Sequence, residues 1–324
     1  MSEDHAGTVC SDDTMTVQDV NGQPTQVLTY GSVEEDADHI VFIPGVPGVI
    51  GLYSRFLESL TACTDGKFRI HALSHPGQDP SGLTPQQRGA VLSVEEQIEH
   101  KIAFIKTVVP NGSKLILIGH SLGCYMVLQM LKREVLVNFE IVKVGFICPV
   151  IARMRESRNG SAIASLEADH PILGKLASGL LRVFSALPRF CLKRVLNSYY
   201  VNAFGAPDGY RRDLVMKTLE FAKCHPCLAS ASAIGVDAVA VVDDMDVDTL
   251  LKLKDRLSIW YTQRDDYVPK GMYEELSKEY PELNIHEVDF QHAFNVHAAD
   301  EMAESLSVWI KSTAVDSVAH ESMQ

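Results

Sequence analysis

No stretch of this 324-residue chain reaches the ~18 uncharged apolar residues that a bilayer-crossing helix needs, so the sequence offers no clear membrane span. It also lacks an excess of basic charge. Its 29 Lys and Arg stand against 42 Asp and Glu, a formal net charge of −13. Without spare cations to displace phosphate counterions, general nucleic-acid binding is excluded. Seven cysteines, an odd number scattered along a long chain, make no disulfide framework and fit a reducing compartment. The opening MSEDHAGTVCSDDTMTVQDV has neither the basic start nor the apolar core of a secretory signal, and it does not resemble a transit peptide. A soluble or peripheral protein exposed to cytosol is expected. Internal repeats and low-complexity tracts are missing too.

What is present is a globular composition, 46% hydrophobic with 22% charged residues, at a length suited to one large α/β domain with an inserted piece. Short apolar runs at 25–30, 39–45, 67–74, 114–118 and 143–149 predict strands, and 52–60 and 93–109 predict helices. The second of these helices is well marked. Ser93 and Glu96 have capping-box spacing, and Ile98, Ile102 and Ile105 keep one face apolar. After Pro149 about a hundred residues show helical periodicity only. Alternation then resumes with strands at 256–262 and 283–289 and helices at 270–280 and 298–311. The pattern predicts an α/β fold: a mostly parallel sheet flanked by helices, with a helical cap inserted over the strand ends. The expected divisions are a polar tail at 1–24, core at 25–150, cap at 151–254, core at 255–312 and a polar tail at 313–324.

The chemistry centres on KLILIGHSLGCYMVLQML, residues 114–131. Gly119-His120-Ser121-Leu122-Gly123 fits the G-x-S-x-G nucleophile elbow, and it lies where that motif has meaning, between a strand and a helix. A serine hydroxyl is a weak nucleophile and needs a base, which in turn needs an orienting carboxylate. In this motif's fold the order is Ser, acid, His. Asp265 follows a strand end and precedes a Tyr-Val-Pro turn, with Asp266 as the alternative acid. His292 follows the next strand. His286 lies inside a strand pattern and His297 at the start of the last helix, so both are weaker candidates for the base. Donors for an oxyanion are expected from the backbone N–H of Leu122, just after the nucleophile, and of Val46 in the loop IPGVPG. The histidines have no carboxylate or Cys at an established ligand spacing, so neither metal nor cofactor is expected. His75 in LSHPGQD is read as part of a structural turn, and Cys124 as packing. Cys224-His225-Pro226-Cys227 lacks the βαβ context of a redox C-x-x-C motif and is read as structural.

These residues resemble the α/β-hydrolase superfamily. Within it, FIPGVPG, ALSHPGQ, EQIEHKIAFIKTVVP, GHSLGCYMVLQMLKR, YTQRDDYVPK and HAFNVH resemble the lipid droplet-associated hydrolases over about residues 41–311. EQIEHKIAFI and its distance to GHSLG discriminate best, because GHSLG alone is shared by many esterases and lipases. The resemblance implies a serine hydrolase at lipid droplets and the cytosolic face of the endoplasmic reticulum, linked to sterol-ester and triglyceride turnover. Motif by motif, it gives Ser121 as nucleophile, Asp265 as acid and His292 as base. This chain departs from the pattern with HPGQ in place of HAGH, and with Asp266 where a proline is expected.

The segment 171–207 carries Lys175, Arg182, Arg189, Lys193 and Arg194 and no Asp or Glu, a local reversal of the chain's acidity. On a helical wheel Ile172, Leu173, Leu176, Leu180, Leu181, Val183, Phe184 and Leu187 take about half the circumference. Lys175, Ser178, Arg182 and Ser185 share the rest. An interfacial helix at anionic lipid needs such faces, though a cap helix that buries its apolar face on the core has the same pattern. With the resemblance, the expectation is droplet or membrane contact through Leu176, Leu180, Phe184, Arg182 and Lys193. The function expected is hydrolysis of a lipid ester, a sterol ester or other neutral lipid, through an acyl-enzyme. Acyl transfer or thioester cleavage on the same residues, and a weakly active or non-catalytic droplet protein acting through its cap, remain alternatives.

Overall fold

The computed structural model describes the backbone of residues 14–168 and 171–312, and side chains other than those of Thr14 and 166–178. The chain begins with a hairpin, β1 (Thr14–Val20) and β2 (Gln23–Gly31). Its two-residue turn is Asn21-Gly22, and both residues have positive φ, 53° and 78°. This dipeptide meets that backbone demand at low cost. The sequence reading placed 1–24 in a tail, so β1 is a correction. Its alternation is mostly polar, and Met15 and Val17 lie exposed on an edge strand.

Next come β3 (His39–Ile43), α1 (Ser54–Cys63), β4 (Arg69–Leu73), α2 (Val94–Val108), β5 (Lys114–His120), α3 (Leu122–Lys132) and β6 (Glu140–Ile147). Five helices follow: α4 (Arg158–Ala168), α5 (Pro171–Ala186), α6 (Arg189–Phe204), α7 (Asp208–Lys223) and α8 (His225–Val241). After α9 (Val247–Lys252), the core closes with β7 (Leu257–Tyr261), α10 (Met272–Glu279), β8 (Asn284–Glu287), α11 (Phe294–His297) and α12 (Ala299–Lys311).

The eight strands form one sheet in the order β1-β2-β4-β3-β5-β6-β7-β8. The β1–β2 and β2–β4 pairs are antiparallel, and every pair from β4–β3 to β7–β8 is parallel. Period-two alternation sorts the apolar strands into two cores. Val41, Ile43, Leu115 and Leu117 join one with α2 and α3. Ile40, Phe42, Ile116 and Ile118 join the other with α1 and α12. A strand covered on both faces has no polar face, which is why β5 reads as an unbroken aliphatic run. Ser93 caps α2 as its spacing predicts: its hydroxyl accepts from the Glu96 N–H at 3.2 Å, and Glu96 Oε2 accepts from the Ser93 N–H at 2.8 Å.

Residues 171–204 do not form one amphipathic helix. Pro188 separates α5 from α6, and the described burial differs from the wheel. Leu180 and Val183 are exposed beside Arg182, whereas Phe184 packs toward the core and Ser185 is buried. Lys193 is exposed; the side chain of Leu176, like those of Ile172, Leu173, Lys175 and Ser178, lies outside the described residues. Among the described residues no single helix is long and apolar enough to cross a membrane. Helices α7 and α8 pass that test only jointly, bent by 90° at their junction.

Candidate active site

Ser121 stands between the end of β5 and the start of α3 with φ 54° and ψ −124°, a conformation that costs of order 1–3 kcal/mol and is held by its surroundings. Its N–H bonds to Ile147 O on β6, and its carbonyl accepts from the Cys124 and Val150 N–H groups. The flanking glycines are sterically required. A Cβ at position 119 would sit 2.7 Å from the Cys124 backbone, and one at 123 would sit 2.2 Å from Ile43 O.

Ser121, His292 and Asp265 converge from three loops at the C-terminal edge of the sheet. The Ser121 hydroxyl donates to His292 Nε2 at 2.9 Å, and His292 Nδ1–H donates to Asp265 Oδ2 at 2.6 Å. Asp265 Oδ1 accepts from the Tyr267 N–H at 2.8 Å, and the residue is buried. A buried acceptor-only carboxylate fixes the imidazole tautomer, which leaves Nε2 to accept the serine proton. Asp266 turns outward to Arg158 at 3.2 Å. His286 stacks on Trp260. His297 Nε2 accepts from the Gln291 N–H, at the end of α11 and not at the start of the last helix. Of the candidate acids and bases, the geometry unites Asp265 and His292 with Ser121.

The loop after β3 has few N–H groups to spare. Pro44 and Pro47 have none. Gly45 N–H donates to Tyr53 Oη at 3.3 Å, and Gly48 N–H to Gln78 Oε1 at 2.7 Å. From Pro44 to Gly48, among the described residues, Val46 N–H is therefore left as the free donor. Leu122 N–H, at the first position of α3, has no intrahelical acceptor. Both residues line the same cavity as Ser121 and His292. The loop approaches closely: a Cβ on Gly45 would lie 2.7 Å from Ser121 Cβ.

Sequence reasoning missed a second tier. Tyr53 Oη donates to His120 Nδ1 at 2.8 Å, and His120 Nε2 donates to the His292 carbonyl at 2.9 Å. Burial pushes the Tyr53 phenol up and the His120 imidazole well below its ordinary range, and the nearby His292 lowers it further. Tyr53 is thus a neutral donor and His120 a neutral imidazole. Together they tie the Gly45 end of one loop to the backbone of the base. His120 lies in the motif itself, but only the fold brings Tyr53 to it.

Beneath the Val46 loop lies a buried polar brace. His75 is fully buried with its ring against Gly48, where a Cβ would meet it at 2.4 Å. It therefore supports the turn and does not line the pocket. Lys101 Nζ, fully buried, donates to Ser74 O at 3.0 Å, Gln97 Oε1 at 3.2 Å and His100 Nδ1 at 3.3 Å. Ser74 Oγ donates to Asp79 Oδ2 at 2.9 Å.

Above Ser121 is a cavity of about 750 Å³. Val46, Leu122, Val150, Met154 and Ile163 line it around the serine, and Leu181 of α5 with Ala229, Ser232, Ala233, Gly235 and Val236 of α8 lines it from the cap. The small residues of α8 leave space there, and the half-open cavity is mostly apolar. A hydroxyl, a base with a fixed tautomer and two free N–H groups at the foot of such a cavity suit attack on the carbonyl of a hydrophobic molecule.

Among solved structures, the N-formylmaleamic acid deformylase of Pseudomonas putida S16 aligns with a TM-score of 0.59 at 14% identity, over 91% of this chain and 100% of that one. The 2-hydroxy-6-oxo-6-phenylhexa-2,4-dienoate hydrolase of Rhodococcus sp. strain RHA1 gives 0.59 at 15%, over 92% and 100%. At these identities the likeness is one of fold, and with the topology above it gives the chain the α/β-hydrolase fold. Closer kinship comes from sequence. The profile of the lipid-droplet associated hydrolase family matches residues 36–295. The lipid droplet-associated hydrolases of Mus musculus and Homo sapiens are each 30% identical, over 89% and 90% of this chain and 89% and 92% of their own lengths. That of Drosophila melanogaster is 30% identical over 88% of this chain and 94% of its own. The chain belongs to this family and is a hydrolase.

Proposed function

We propose that this hydrolase cleaves hydrophobic carboxylic esters, neutral lipid or sterol esters, through an acyl-enzyme on Ser121. The observation that carries the reading is the continuous hydrogen-bond chain Ser121–His292–Asp265 opening into an apolar cavity of about 750 Å³, within the ~300–1,000 Å³ range of small-molecule sites. His292 takes the Ser121 proton as Oγ adds to the ester carbonyl, and Asp265 holds the imidazolium. Leu122 and Val46 N–H groups receive the oxyanion, a donor of this kind being worth about 2.7–4 kcal/mol. His292 then protonates the departing alcohol. It next draws a proton from water, which attacks the acyl group and frees the acid. Fluorophosphonate labelling tests this directly. Wild-type protein is expected to label and folded Ser121→Ala is not; labelling that is absent from folded wild type, or unchanged in the variant, would refute it.

The site of action we propose is the lipid-droplet or endoplasmic-reticulum surface on its cytosolic face, reached through the cap. Support comes from an exposed apolar strip, Leu180, Val183, Leu187 and Phe190, among Arg182, Arg189 and Lys193. Contiguous exposed apolar surface beside cations suits an anionic lipid interface. Leu180→Glu with Val183→Glu should abolish flotation with anionic phospholipid droplets. Undiminished binding by the folded double variant would remove α5 from the proposal.

A further inference from the structure

The sequence reading set Cys224 and Cys227 aside as structural; their placement in the fold argues otherwise. Cys224 is the N-cap of the 17-residue α8, and Cys227 lies one turn inside it. Their sulfurs approach to 2.8 Å without a bond. Helix N-termini stabilise a thiolate through free N–H groups and the helix dipole, and a neighbouring thiol adds a donor. Cys224 also borders a surface groove of about 360 Å³ with Arg88, Arg189, Lys223 and Glu220. That is a locally cationic site in a chain of net charge −13.

We infer that Cys224 and Cys227 form a redox-active dithiol that closes to a disulfide by exchange with an anionic low-molecular-weight disulfide of the glutathione type. Access gives the order of events: Cys224 borders the groove and Cys227 does not. The hydrogen bond between the two sulfurs lowers Cys224 and raises Cys227, and Arg88 favours the Cys224 thiolate. Cys224, 7% exposed, reaches the groove, and Cys227 is fully enclosed beside it; Cys124 and Cys148 are buried too and are pushed well above the ordinary thiol range.

The Cys224 thiolate attacks one sulfur of glutathione disulfide. A protein–glutathione S–S bond forms and one glutathione thiolate leaves, taking up the proton that Cys224 released. Cys227 then loses its proton and attacks the Cys224 sulfur, expelling the second glutathione thiolate, which takes up that proton. One protein dithiol and one glutathione disulfide thus become one protein disulfide and two glutathiones. The first turn of α8 is clamped for this closure: Pro226 packs on Gly89, where a Cβ would lie 2.2 Å from it, and Ser230 Oγ donates to Ala90 O at 2.7 Å.

The test incubates the full chain with glutathione disulfide, quenches with acid, alkylates free thiols and maps them by peptide mass. Wild type should lose two hydrogens within the peptide spanning 224 and 227, and reduced glutathione should restore them. Cys227→Ser should trap a mixed disulfide on Cys224, whereas Cys224→Ser should leave Cys227 unmodified. Raising salt to 0.5 M should slow the wild-type reaction about tenfold as the cationic groove is screened. Two alkylatable thiols persisting in folded wild type would overturn the proposal, as would trapping on Cys227. A rate independent of salt would overturn the groove's part in recognition.

Discussion

Tyr53→Phe removes a single oxygen from the tier behind the catalytic constellation. The ring keeps its contacts with Phe42 at 5.0 Å and Phe294 at 6.2 Å, so no cavity opens. What disappears is the acceptor for Gly45 N–H and the donor to His120 Nδ1, both in fully enclosed surroundings. Each buried group left without a partner costs about 1–3 kcal/mol, and the hydroxyl no longer needing desolvation returns about 1 kcal/mol. The net expectation is a loss of about 1–5 kcal/mol. Urea unfolding of wild type and variant measures it, with the m-value unchanged because no extra surface is exposed.

The same change should act on chemistry. With Nδ1 unpaired, His120 can take the other tautomer and withdraw its Nε2–H from the His292 carbonyl. The base then loses its backbone anchor and Gly45 its tether, while the apolar cavity is untouched. The expected signature is kcat reduced about tenfold for a p-nitrophenyl ester, with KM within about twofold, since the lost interaction orients the reacting groups and binds no acyl chain. A destabilisation under 0.5 kcal/mol together with unchanged kcat would refute the reasoning. So would a rise in KM alone.

Three further outcomes follow from the geometry. Asp265→Asn should lower kcat by about 10⁴, the scale for presenting the wrong imidazole tautomer in a serine triad, whereas Asp266→Asn, whose carboxylate faces Arg158, should stay within about twofold; equal losses would show that the acid is misassigned. At Gly235 an added Cβ meets nothing within 4 Å, so Gly235→Phe should project into the cavity, cutting hydrolysis of long-chain esters about tenfold or more while sparing acetate esters, and a uniform loss across chain lengths would contradict the acyl-chain assignment. Burial holds His71 at about 3 and His100 at about 2, and His75 and His120 well below 6.5: below pH 6.5 the unfolded chain binds protons that the native state refuses, so stability is full above 6.5 and falls with pH, by about 1.4 kcal/mol per unit for each such histidine. Urea titrations at pH 7, 6 and 5 check the sign, and a slope under one proton between pH 6 and 5 would contradict it.

Short-range signals were legible in the sequence and long-range ones were not. The Ser93–Glu96 cap and the aliphatic β5 depend on neighbours in the chain, and both sit where the pattern puts them. Ser121, Asp265 and His292 were legible because the elbow, the strand ends and their order are local features that a known topology connects. The hairpin at Asn21-Gly22 was not read, because β1 has a polar alternation that resembles a tail. Burial on α5 could not be read from a wheel. Leu181 and Phe184 turn inward and Leu180 and Val183 outward, because the neighbouring helices and the cavity, not periodicity, decide which apolar residues are covered. The place of the C-x-x-C was not legible either: its context was sought in a βαβ unit, and the fold sets it at the N-terminus of α8.

The stretch EQIEHKIAFI touches no reacting atom, and the structure gives it a physical task. Periodicity assigns Ile98, Ile102 and Ile105 to the core, yet Gln97, His100 and Lys101 are buried with them. Burial pushes the Lys101 amine well below its ordinary range; such a group is tolerated only where its hydrogen bonds are met, and Lys101 has three partners, of which Ser74 O belongs to the turn under the Val46 loop. From Ser74 the bonding continues to Ile50 N–H through Oγ at 3.2 Å, and the next residue, His75, donates its N–H to Gly48 O at 3.0 Å. Helix α2 is therefore bonded through the Ser74–His75 turn to the loop of Val46, which lines the same cavity as Ser121. A general hydrophobic contact would leave that loop free to slide by fractions of an ångström, whereas directional bonds to buried partners do not. The polar residues of α2 thus brace the turn and the loop that lie beside Ser121.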